Sequence, residues 1–114
     1  MKYRYSVIIP HHDIPHLLRR CLQTIPHRED VQVIVVDDKS GCCFMPALKQ
    51  VEDDFPWVTF IYLQEGKGAG HARNVGLEKA VGEYVFFADA DDFFMPCLNQ
   101  VLDDYARCEQ DIVF

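Results

Sequence analysis

The sequence predicts an α/β fold, an open and mostly parallel sheet with helices on both faces. Two observations carry this. Strand-length apolar runs alternate strictly with segments of helical period along the 114 residues. The runs Val33-Ile34-Val35-Val36 and Tyr84-Val85-Phe86-Phe87-Ala88 are apolar at consecutive positions, as in strands buried on both faces. Strict alternation also implies parallel strands joined by right-handed crossovers.

The elements follow in order. Residues 4–9 are rich in β-branched side chains and read as the first strand. Asp13 is placed to N-cap a helix over 14–25, with Pro15 tolerated in its first turn. Residues 31–36 form the second strand. Leu48, Val51 and Phe55 recur at helical spacing within 45–55, where Pro46 stands near the start. The third strand is 57–63. A helix over 68–81 ends with Gly82 as its expected C-cap. The fourth strand is 84–88. A fourth helix spans 96–107, with Leu98, Val101, Leu102 and Tyr105 on one face. A further apolar strand begins at 111–114 and reads as a piece of a longer protein. Its open edge would favour self-association.

Composition narrows the function classes. A chain of 114 residues supports one domain with a core, and 49% apolar content is ordinary for a globular protein. The net charge of −7 argues against nucleic acid, which calls for a basic face. The same charge opposes a bound anionic nucleotide unless a cation intervenes. No apolar stretch approaches the length of a signal-peptide core or a membrane span. The five cysteines, Cys21, Cys42, Cys43, Cys97 and Cys108, are odd in number and lack Cys-x-x-Cys spacing. They read as reduced thiols of a cytoplasmic protein. Peripheral attachment of the full protein at the inner membrane face stays open.

The chemistry gathers at strand ends. Asp89-Ala90-Asp91-Asp92 directly follows the fourth strand. Carboxylates grouped there repel one another and are costly to desolvate. Mg²⁺ or Mn²⁺ relieves both costs, using one or two carboxylates with water and phosphate oxygens. Asp-x-Asp by itself fits an acidic helix-capping turn equally well. The other clusters are Pro10-His11-His12-Asp13 after the first strand and Asp37-Asp38-Lys39-Ser40 after the second. In a parallel sheet all three open on one edge, where ligands bind.

The glycine-rich stretch Glu65-Gly66-Lys67-Gly68-Ala69-Gly70 opens a helix. It is not a dinucleotide fingerprint, which belongs to the first strand-to-helix turn, and no Gly-Lys-Ser/Thr makes it a P-loop. Two readings stay open. Its amides, with Lys67 and Arg73, could approach a phosphate or sugar. Alternatively Arg73 simply pairs with a nearby carboxylate. The adjacent His11 and His12 point to opposite sides of an extended backbone, which disfavours a shared metal and leaves stacking on a base for His12.

Taken together, Ser6-Val7-Ile8-Ile9-Pro10, Val33-Ile34-Val35-Val36-Asp37-Asp38-x-Ser40, Ala72-Arg73-Asn74-x-Gly76-Leu77 and Gly82 to Asp92 resemble the inverting family-2 glycosyltransferases of the GT-A fold. The resemblance covers essentially the whole chain. It implies a Rossmann-like portion that binds a nucleotide-diphosphate sugar, with a UDP-sugar as first candidate, and a divalent cation, Mn²⁺ or Mg²⁺. It further implies roles for single residues. Asp38 recognises the base, His12 lies beside it where many members have Tyr, and Pro10 lines the same wall. Asp89 lies near the ribose and the metal, and Asp91 ligates the metal. Arg73 and Asn74 border the diphosphate side. Lys39 departs from the usual Gly of Asp-Asp-Gly-Ser, Gly41-Cys42-Cys43 from the usual Thr-Asp, and His11-His12-Asp13 from Val-Tyr-Asn.

The reading that follows is the donor-binding portion, residues 1–114, of an enzyme transferring a sugar to an acceptor hydroxyl with inversion. Cell-surface polysaccharide or glycolipid synthesis is the expected setting. The general base and the acceptor site are expected beyond Phe114, so this segment alone should be inactive. The rival is a non-catalytic nucleotide-binding or interaction module of the same fold. A nucleotidyltransferase would carry a glycine-rich basic loop after the first strand, and none is there.

Overall fold

A computed structural model describes residues 3–90. Asp91, Asp92, Cys97, Cys108, the expected helix 96–107 and the strand start at 111–114 lie outside the described residues, and with them the expected self-associating edge. The described elements are β1 (Tyr5–His11), α1 (Pro15–Thr24), β2 (Val31–Asp37), a 3-10 turn (Cys42–Phe44), α2 (Met45–Asp54), β3 (Thr59–Tyr62), α3 (Ala69–Lys79) and β4 (Tyr84–Phe87). The four strands form one sheet in the order β3-β2-β1-β4, and every pairing is parallel.

Strand periodicity sorts the side chains onto two faces. Tyr5, Val7 and Ile9 of β1 join Val31, Val33 and Val35 of β2 on one face. Leu18, Cys21 and Leu22 of α1 and Leu48 and Val51 of α2 cover them. The other face presents Ile34 and Val36, which pack with Ala72 and Val75 of α3. Both faces are therefore covered, as continuous apolar strands require. Strand order reverses at β1, with β2 and β3 to one side and β4 to the other. Such a reversal leaves a crevice at the strands' C-terminal ends.

Several boundaries differ from expectation, each for a local reason. β1 and β2 extend to His11 and Asp37, which face each other in register. Pro10 thus stands inside a central strand, an unusual place for a residue without N–H. The backbone of Ile8 faces β4, since its carbonyl accepts Ala88 N–H at 3.0 Å. Pro10, two residues on, faces the same side, but β4 pairing ends at Ile8 with Phe87. The missing N–H therefore falls where no ladder bond is needed.

Asp13 does not cap α1. Ile14 holds the N-cap position without a side-chain cap, and Pro15 begins the helix. Asp13 instead adopts φ 60° and ties across to the loop after β2. There its N–H donates to Ser40 Oγ at 2.9 Å and its Oδ1 accepts Gly41 N–H at 2.8 Å. β3 and β4 are shorter than expected. Trp57, expected in β3, precedes that strand and stacks on His27 with ring centroids 4.0 Å apart. Cys42 and Cys43, expected in a loop, are exposed in the 3-10 turn, and Cys21 is buried in the core as expected.

Gly82 is not the C-cap of α3, which ends at Lys79 with Ala80 extended. Gly82 lies against β1, where an added Cβ would come within 2.6 Å of Tyr5 C and 2.7 Å of Ser6 N. Those are backbone atoms and cannot step aside. Gly82→Ala should therefore cost roughly 1–3 kcal/mol or more in urea unfolding. Gly70→Ala, with nothing within 4 Å of the new Cβ, should leave stability unchanged or raise it by up to about 1 kcal/mol. Equal midpoints for the Gly82 variant and the parent would contradict this packing.

Candidate functional site

The crevice at the strand ends is a cleft of about 280 Å³. Pro10, His12, Ile14, Asp38, Ala69 and Asp89 line it, with the buried His11 and Ala90. β1 and the turn after it supply Pro10, His12 and Ile14, the β2 end supplies Asp38, the start of α3 supplies Ala69, and the segment after β4 supplies Asp89. The three strand-end clusters thus meet on one edge, as the alternating pattern requires. Asp91 falls outside the described residues. Asn74 is exposed on α3 and is not part of the lining.

A buried polar chain supports this wall. The Asp13 N–H donates to Ser40 Oγ, and the Ser40 hydroxyl donates to Asp37 Oδ1 at 2.5 Å. Asp37 Oδ1 also accepts from His11 Nδ1 at 2.9 Å, and Asp37 Oδ2 accepts Ser40 N–H at 3.0 Å. On its other side, His11 Nε2 accepts the Ile14 N–H at 3.1 Å. These partners assign the His11 tautomer: the proton sits on Nδ1 and Nε2 is the acceptor. Ser, His and Asp are all present, yet this is no nucleophile constellation. Ser40 gives its proton to Asp37, and all three side chains are buried.

Burial alone pushes the Asp37 carboxyl up, but donation by the His11 ring and by Ser40 outweighs it and holds Asp37 below the ordinary 3.8. Sequence reasoning missed this network. The signal that could have found it is register: aligning the two strand ends sets His11 opposite Asp37.

His12 projects the other way, its ring 56% exposed. Nδ1 donates to the Asp38 carbonyl at 2.9 Å, and Nε2 stands 3.2 Å from Asp13 Oδ2. Both ring nitrogens therefore face oxygen, which fixes the ring plane beside Pro10 at the cleft wall. Asp38 is also held at its backbone, donating its N–H to the His11 carbonyl at 2.8 Å. Its Oδ1 accepts Lys67 N–H and its Oδ2 accepts Gly68 N–H, each at 3.0 Å. Nothing in the sequence alone paired Asp38 with the glycine-rich loop.

Asp89 and Arg73 form an exposed pair at 3.3 Å. Of the two readings of Arg73, the structure realises the ion pair, and its partner is itself a candidate site carboxylate. For a divalent cation, Asp89 offers a hard oxygen donor with its side chain 61% exposed. That suits an ion that keeps water and phosphate oxygens in its shell. No group of three or more His, Cys, Asp or Glu among the described residues could hold a metal by itself. Asp89 is thus the one expected metal ligand that the described residues include.

The profile of Glycosyl transferase family 2 matches residues 6–114. The chain belongs to that family. A curated glycosyltransferase of Escherichia coli K12, YibD, itself uncharacterized, is 31% identical across 97% of this chain. The match takes in 35% of YibD, so the family-2 chain spans about a third of that relative's length. Among solved structures, Staphylococcus aureus TarS 1–349 in complex with UDP-GlcNAc superposes with a TM-score of 0.76 and 27% identity. That likeness covers 94% of this chain and 31% of TarS 1–349. The mannosyltransferase PcManGT of Pyrobaculum calidifontis, in complex with GDP-Man and Mn²⁺, gives 0.70 and 28% over 85% of this chain and 30% of that one. The fold is accordingly of the GT-A type, with its four parallel strands and flanking helices.

The lowered Asp37 carboxyl has a stability consequence. Its contribution is complete above the unfolded value near 3.8 and is lost as pH falls through the lower folded value. Asp37→Asn should cost roughly 1–3 kcal/mol at pH 7, by leaving a buried donor unmatched. In urea titrations the gap between parent and variant should hold constant down to about pH 5 and close below about pH 4. A gap unchanged at pH 3 would contradict the assignment.

Proposed function

We propose that this chain binds the nucleotide part of a nucleotide-diphosphate sugar and forms the donor half, residues 1–114, of an inverting glycosyltransferase. The observation that carries the reading is the cleft at the strand-order reversal, with Asp38 and Asp89 in its lining and His12 at its wall. The family and the nucleotide complexes of TarS and PcManGT support it. TarS, the nearer of the two in TM-score, is bound to a uridine nucleotide, so UDP is the first ligand to try.

In the proposed complex Pro10 and the His12 ring pack against the base. Asp38 has lone pairs left beyond the loop amides and can accept a base N–H. Asp89 and Asp91 would hold Mn²⁺ or Mg²⁺, which when bound neutralises the leaving diphosphate as a Lewis acid. Arg73, already beside Asp89, brings positive charge to the same side, and Asn74 follows it on α3. This placement answers the electrostatic problem of an acidic chain binding an anion.

The base that deprotonates the acceptor hydroxyl, and the acceptor site in a cell-surface polysaccharide or glycolipid, are assigned to the further length over which the matched relatives extend. The proposed setting is the cytoplasm, which fits five cysteines without paired spacing. No helix among the described residues is long and apolar enough to cross a membrane. The 114-residue chain should accordingly bind donor without transferring sugar. Transfer from UDP-glucose or UDP-GlcNAc by this chain alone would place the base within it.

Calorimetric titration tests the binding claim. UDP should bind at least about ten-fold more tightly with Mn²⁺ than with EDTA, a difference of about 1.4 kcal/mol or more. Asp91→Asn should remove most of that difference. Equal affinity in both buffers would remove the cation from the account, and no binding in either would favour the interaction module. His12→Ala should weaken UDP by about 1–3 kcal/mol if the ring stacks on the base. An unchanged Kd would take His12 out of the pocket.

A further inference from the structure

The geometry points to Asp38 as the positioning residue of the glycine-rich loop, a role separate from contact with the base. The loop residues 64–70 are exposed, and among the described residues Lys67 Nζ pairs with the exposed Glu65 at 3.5 Å. What holds the loop is backbone. Lys67 and Gly68 aim consecutive N–H groups at the two carboxylate oxygens of Asp38, each at 3.0 Å. Two parallel bonds to an ionised, largely buried carboxylate are strong and directional.

The loop is shaped for this contact. Gly68 has φ 93° and ψ 168°, a region open essentially to glycine alone. Gly66 passes close over the Asp38 backbone, where an added Cβ would lie 3.5 Å from its carbonyl oxygen. The Gly68 carbonyl then accepts the Ala72 N–H at 3.1 Å, the first bond of α3. A chain of contacts thus runs from Asp38 through Gly68 into the helix that carries Ala69 and Arg73. Asp38 in turn is fixed from behind, by the His11 carbonyl and the His12 ring. The carboxylate therefore sets where the cleft's α3 wall begins. It couples the β2 end to the arginine beside Asp89.

This deepens the proposed donor site, so the test begins without nucleotide. Trypsin cleaves after Lys67, at the peptide bond whose N–H points to Asp38. Limited proteolysis of the ligand-free chain should show Asp38→Asn cut there roughly ten-fold faster than the parent, since cleavage follows the released loop population. Gly68→Ala, which perturbs the same contact from the loop side, should do likewise. The double variant should cut no faster than the faster single variant, because both break one contact. Cleavage after the exposed Lys49 serves as the control and should stay near the parent's. Unchanged cleavage after Lys67 in both single variants would overturn the inference, as would equal acceleration at Lys49. Saturating UDP with Mn²⁺ should slow cleavage after Lys67 in the parent and less so in Asp38→Asn. Equal protection in both would overturn the coupling of Asp38 to the donor wall, while failure of UDP to bind at all would leave the loop result standing and sink only the donor reading.

Discussion

The rest of the structure depends on one buried hydrogen-bonded chain, from the Asp13 N–H through Ser40 and Asp37 to His11 and the Ile14 N–H. It joins the last residues of β1 and β2, the turn into α1 and the loop toward α2. Polar groups buried at strand ends are costly when unpaired and specific when every member has its partner. Each link here has a defined donor and acceptor, so the chain has one arrangement. Apolar packing alone would hold the sheet together without fixing how its edge is shaped. The polar chain fixes the edge.

The cleft inherits that order. His11 is locked inward, so its neighbour His12 is turned outward along the extended backbone. The same register sets Asp38 one residue past Asp37, at the mouth of the reversal in strand order. From there its carboxylate reaches the amides of the loop into α3, and α3 brings Arg73 to Asp89. Two sheet ends, a loop and a helix are thereby linked through three carboxylates with different work. Asp37 is structural, Asp38 joins structure to the site, and Asp89 faces solvent and can meet a cation.

Much of the fold was legible because the apolar periods are strong. Val33 to Val36 reads as a strand covered on both faces, and the alternation with helices implies parallel pairing. The site was legible as a place: Pro10, His12, Asp38 and Asp89 do meet in one cleft. Its wiring was not. Asp13 looked like a cap because Asp before a helix usually is one, but tertiary contact with Ser40 and Gly41 took its hydrogen bonds elsewhere. Gly82 looked like a C-cap for the same statistical reason, while its true constraint is contact with the β1 backbone. His11 and Asp38 depend on partners 26 and 29 positions away, respectively Asp37 and Lys67, which no local pattern encodes.

The most direct test of this account is the protonation pattern of the His11 ring, read by ¹⁵N-resolved NMR of the imidazole nitrogens near neutral pH. The account predicts a single, static tautomer with the proton on Nδ1 and a bare Nε2. Substituting Asp37 by Asn should disturb that pattern, and changes at Lys67 should not. A ring found with its proton on Nε2, or averaging between the two forms, would contradict the buried chain on which the cleft is built.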